Sequence, residues 1–180
     1  MKEKGLTEFD PFSSRLARDI RNGLSDSFLQ ALVEKDSTVY QEKIEEYLAQ
    51  NLKRPYQEYI AERLRKYDVV IGIVTHEGSN DKMQQAGILW SHKLYFEMHE
   101  LLEEFWVEST GERRRGLQGL IRAAGMKIHA ENNNIKAAVS MGMKARTDLD
   151  KYGTSLADFA ELEAVSAEIN HTLAELTSEK

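Results

Sequence analysis

The residues best suited to chemistry lie between Tyr95 and Ala130, in YFEMHELLEEFWVESTGERRRGLQGLIRAAGMKIHA. His99 and Glu103 stand four residues apart, so on a helix they share one face. An imidazole titrates near neutral pH, and a carboxylate one turn away can orient it, which makes the pair candidate acid–base machinery. With His129 from the following segment, the same two side chains offer two nitrogens and an oxygen to a divalent metal ion. Gln118 and Arg122 lie on a line with Gly125 and His129, and Arg122 is a candidate holder of an anion. The zinc-protease pattern HExxH is not met, because HELLE puts Glu103 where the second histidine belongs. One Glu-x-x-His occurs at Glu168–His171, without the second copy and further glutamates of a di-iron bundle. No nucleophile stands out, so the residues leave open whether the protein is an enzyme.

These side chains need helices to position them, and the chain is patterned for helices throughout. Apolar residues recur at three and four positions, and the two prolines, Pro11 and Pro55, stand where helices can begin. The pattern predicts an all-α bundle of six or seven helices, near Pro11–Glu34, Thr38–Asn51, Pro55–Val74, Asp81–Ser109, Glu112–Glu131, Asn134–Tyr152 and Ser155–Leu176. The β-branched run Tyr67–Thr75 is read as helix, since a lone strand has no partner. The first eight and last four residues are expected to be disordered. A single domain of 180 residues is expected.

On a wheel started at Tyr95, Leu102 and Trp106 fall within about 20° and His99 at about 40°, while Glu97, Glu100 and Glu104 point to the wetter side. In the next helix Leu117, Leu120, Ile121, Ala124 and Ile128 form the core stripe. Gly116, Gly119 and Gly125 each cost about 1 kcal/mol of helix propensity relative to Ala, a cost most often accepted for close packing.

A formal charge of −6 and the absence of cysteine narrow the classes. Nothing draws the whole molecule to nucleic acid or an anionic membrane, and thiolate chemistry and disulfides are excluded. Arg113, Arg114 and Arg115 with Arg122 and Lys127 form a local basic cluster, the one feature that favours phosphates. No stretch reaches the length of a membrane span and no signal peptide opens the chain, so a cytoplasmic protein is expected. Trp90, Tyr95, Phe105 and Trp106 are candidates to line an apolar pocket, although aromatic stripes are more often core. Homodimers are the commonest oligomers, and Tyr56 and Tyr59, read as exposed, are candidates for such a surface.

HELLEEFW at His99–Trp106, followed by GLQGLIRAAG at Gly116–Gly125 and by His129, resembles the uncharacterised prokaryotic family named domain of unknown function 309. Its usual signature reads HEvLEexW and then LQGLIQ. The resemblance runs from Ala86 to Lys151 and includes the small-residue helix NIKAAVSMGMKA. It implies a compact helical bundle; around that family-like core over 86–151, residues 1–85 are read as an N-terminal helical extension and 152–180 as a C-terminal helix. The matching positions are His99, Glu100, Glu103, Trp106, Gln118 and His129. It implies no activity and no cofactor. Arg122 replaces the second glutamine of the signature and brings a charge that could pair with Glu103.

Two readings follow. The first is a binding or scaffolding module with a polar groove at His99, Glu100, Glu103, Trp106, Gln118, Arg122 and His129. The second is a small metal-dependent or acid–base hydrolase using His99, Glu103 and His129. Against both stands a satisfied polar network that only fixes helix register.

Overall fold

The computed structural model describes residues 8–178. The helices group into two compact units, residues 1–80 and 81–180, where the sequence suggests one domain. The division at Asn80/Asp81 falls just before the start of the family-like segment.

In the first unit, Asp10 holds a turn by accepting from the backbone of Phe12 at 2.8 Å. Helix α1 (Arg15–Glu34) follows, capped by Ser14, whose hydroxyl accepts from Ala17 N at 3.2 Å. A serine oxygen there satisfies one of the donors that a helix start leaves open. Helix α2 spans Thr38–Leu48, and α3 spans Arg54–Glu77 with Pro55 in its first turn. The run Tyr67–Thr75 is helical within α3, as expected. Gly78 ends α3 at φ 65°, a left-handed conformation that costs glycine nothing. The core is aromatic. Phe28 stacks on Tyr67 at 4.0 Å, with Tyr40 edge-on to both. The Tyr40 hydroxyl donates to Asp68 at 2.7 Å, and burial with that carboxylate pushes its pKa up. Tyr56 and Tyr59 do not form an open patch. Tyr56 is buried and meets Ser14 Oγ at 3.1 Å, and Phe9 stacks on Tyr59 at 3.7 Å. The segment ahead of α1 covers the positions that the sequence suggested for a dimer surface.

The second unit holds α4 (Lys82–Ser91), α5 (Tyr95–Glu108), α6 (Gly111–Glu131), α7 (Ile135–Tyr152), a 3-10 turn (Gly153–Leu156) and α8 (Leu162–Ser178). Eight α-helices are thus found among the described residues, against six or seven expected. The extra one arises because Asp81–Ser109 is not continuous. The Leu94 amide bonds back to Leu89 O at 2.9 Å and the Lys93 amide to Trp90 O at 2.9 Å, with Lys93 left-handed at φ 55°. This is a Schellman termination, normally built on glycine. Here a lysine accepts the strain, and Leu94 beside it is fully buried. With no glycine or proline at the break, the sequence pattern hides it.

The last helix also starts later than Ser155. That serine's hydroxyl donates to Tyr152 O at 2.6 Å, closing α7 instead of opening α8. The chain then turns to bury Leu156 and Phe159 before α8 begins. The expectation of disorder at the termini falls mostly on residues 1–7 and 179–180, outside the described residues, while Thr177 and Ser178 belong to α8. No helix of the described residues is long and apolar enough to cross a membrane.

Close packing explains Gly116, Gly119 and Gly125 of α6. A Cβ on Gly119 would lie 2.8 Å from the Leu149 side chain, and one on Gly125 would lie 2.7 Å from Met141 Sδ. Gly116 faces Leu156 and Ser155 at 2.9 Å, so α6 and α7 run antiparallel along a seam without side chains on one side.

Candidate functional site

Helix α5 packs against α4 and α6, and Tyr95, Glu97, Met98, Leu101 and Leu102 are buried on it. The buried arc is wider than a single stripe. Glu97, placed by the wheel on the wetter side, is fully buried. Glu104 is exposed as expected, and Glu100 is half-buried. The remaining arc is open and carries Phe96, His99, Glu100, Glu103, Trp106 and Val107.

His99, Glu100 and Glu103 come together on that arc. Nδ1 of His99 lies 3.2 Å from Glu100 Oε1, and its Nε2 lies 3.9 Å from Glu103 Oε1. Their side chains are 26%, 35% and 53% exposed, so the group sits at the solvent boundary. One ligand atom from each lies within 4.8 Å of the others, which makes the trio a candidate metal centre. Phe96 lies parallel to the imidazole with centroids 6.4 Å apart.

The other expected site residues lie elsewhere. Trp106 stacks under the Arg114 guanidinium, 3.9 Å from the ring centroid, which fixes the register of α5 against α6. Because the two helices are antiparallel, His99, seven residues before Trp106, stands beside the Ile121 region of α6. His129 is then about 12 Å further along the axis at 1.5 Å per residue. It lies 3.0 Å from Asn134 Nδ2, and burial lowers its pKa. Gln118 is half-buried on α6. Arg122 pairs with Asp148 of α7 through a very short contact, so the suggested Arg122–Glu103 bridge does not form. Asp148 is the partner that the sequence reading missed. Its signal was an acid within the small-residue face of α7, beside Ala145 and Leu149.

The remaining candidates have local roles. Trp90 is buried edge-on against Tyr95 at 5.0 Å, about three turns from Trp106, so the four aromatics do not line one pocket. Arg113 grips Asp158 with both guanidinium nitrogens at 3.0 and 2.7 Å, and Lys127 reaches Glu168 at 3.2 Å, which spends much of the basic cluster internally. His171 pairs with Glu175 at 3.3 Å, apart from Glu168 in role. Two concavities, about 490 Å³ between α1 and α2 and about 210 Å³ beside Arg122 and Asp148, include none of the trio.

A helical hairpin with an open acidic and imidazole face is the class of site that results. Residues 83–141, about a third of the chain, match the model of the family described as Domain of unknown function (DUF309). The resemblance in HELLEEFW and LQGLIR therefore holds, with the match ending inside α7, short of Lys151. Comparison with curated proteins and with solved structures gave no match.

Proposed function

We propose that this chain is a binding module whose working element is the open face of α5, and that His99, Glu100 and Glu103 hold a divalent transition-metal ion there. The observation that carries the reading is the approach of one imidazole and two carboxylates to within 4.8 Å on a single helix face. Imidazole with carboxylate suits zinc, nickel and cobalt, in contrast to the all-oxygen sites of magnesium and calcium. Bonds of about 2.1 Å bring ligand atoms to about 3.4 Å from one another, so the most exposed member, Glu103, must swing inward. Three protein ligands leave positions open for water or for a group from a partner, which fits a module that binds through its ion.

Binding is favoured over hydrolysis by placement. Catalytic metal and acid–base centres sit in concave, water-restricting pockets. The trio lies at the solvent boundary, its side chains 26%, 35% and 53% exposed, and His129, which the hydrolase reading requires, is removed by about two turns, about 12 Å, along α6.

Calorimetric titration of the whole chain with zinc, nickel and cobalt tests the proposal. His99→Ala should weaken binding by at least about tenfold, equivalent to 1.4 kcal/mol, and Glu103→Gln by a similar or smaller factor. Equal affinity in the wild type and His99→Ala, or no binding by the wild type, would remove the proposal.

A further inference from the structure

The two outer helices of the hairpin unit carry opposite surfaces. On α7, Ile135, Val139 and Met143 recur every four residues, with Ile135 38% and Met143 52% exposed. Lys136, Lys144 and Arg146 are exposed beside them, with Asp150 the acid on the same side. On α5, Val107 is 67% exposed and Phe96 half-buried, between Glu100, Glu103 and Glu104. α7 thus shows an apolar row among mostly basic side chains, and α5 one exposed valine among acidic ones.

We propose that two copies of this chain associate by setting α5 of one against α7 of the other. Val107 of α5 and the Ile135–Met143 row of α7 supply the apolar contact, and the flanking charges, acidic on α5 and basic on α7, select the partner and the pairing. Both halves of the complement are on one chain, so a two-fold axis uses each pairing twice. A membrane or nucleic acid is the weaker occupant for α7, since the chain as a whole carries −6. The proposal does not depend on a cation at α5, and it is tested on chelator-treated protein.

Sedimentation equilibrium of the full chain, at low salt and at about 0.5 M salt, should show a dimer that weakens as salt screens the charges. Two variants with exposed changes only test the pairing. One makes α5 basic (Glu104→Lys with Val107→Lys), and the other makes α7 acidic (Lys136→Glu with Met143→Glu). Each alone should lose at least about tenfold in dimer affinity, whereas an equimolar mixture should recover it, because every α5–α7 contact between unlike chains is then complementary. Circular dichroism of each variant confirms its fold. A wild type that is monomeric at about 100 μM in low salt overturns the proposal, as does a variant that dimerises unchanged or a mixture that fails to recover. Monomers that sediment with vesicles of phosphatidylserine through α7 would overturn it in favour of a lipid surface.

Discussion

The α6–α7 seam and the open face of α5 both combine charged residues with helix-borne signature positions, yet they are built on opposite principles. In the seam, glycines bring backbones together and Arg122 closes on Asp148, whose side chain is only 12% exposed. Every group there is held by the neighbouring helix. On the open face of α5, His99, Glu100 and Glu103 approach one another along their own helix and lie at the solvent boundary. A buried polar pair is explained by the need to satisfy it, whereas an exposed cluster of ligand atoms has no such need. The difference separates architecture from candidate function within one hairpin unit.

The seam is broken most severely by volume. Gly119→Val would drive a branched side chain into Leu149 and towards Asp148 Cβ, which stands 3.2 Å from the position of a Cβ. Overpacking of this kind costs about 3 kcal/mol, which lowers the melting temperature by about 10 °C in a chain of this size. Gly72 on α3 gives the control, because a Cβ there meets nothing within 4 Å. Gly72→Ala should stabilise by about 1 kcal/mol through helix propensity alone. If both substitutions had the same sign in a thermal melt, close approach would not be what the seam glycines provide.

A smaller loss is expected from charge. Arg122→Ala strands the Asp148 carboxylate, at a cost of about 2 kcal/mol, less than for a fully enclosed pair because Arg122 is 32% exposed. Arg122→Met with Asp148→Leu should recover much of that loss in chemical denaturation, since removing both partners leaves no orphaned charge. A double variant as unstable as Arg122→Ala would mean that the pair does more than satisfy itself.

The helical class was legible because periodicity reports one buried face, and the long helices of both units have one. The caps at Ser14 and Asp81 and the stop at Gly78 follow the same local rules. What was illegible came from contacts between elements. Lys93 takes a glycine's conformation because Leu94 is pulled into the core, so no breaker marks the end of α4. Glu97 is buried on a side of α5 that a single-helix wheel assigns to water, because the wheel carries nothing of what packs around the helix. The trio of His99, Glu100 and Glu103 lies within one turn, so its composition could be read locally. Its separation from Arg122 and His129 depended on the stagger of α5 against α6, fixed by pairs such as Trp106 with Arg114. Spacing along one helix is a sequence property, and register between helices is a packing property.

The smallest stability effect provides the sharpest contrast. His99→Ala removes a side chain that is 26% exposed and whose near neighbours, Glu100 and Glu103, can turn to water. Its loss should change stability by no more than about 0.5 kcal/mol, the range of ordinary surface substitutions, and relief of side-chain crowding can give either sign. The same variant is expected to lose the added cation. A melt near that of the wild type, together with lost metal-induced stabilisation, would locate the contribution of His99 in binding, since a ligand raises stability only through the state that holds it. A large drop in the metal-free melt would instead make the α5 face a second piece of architecture, equivalent to the seam, and the contrast between them would collapse.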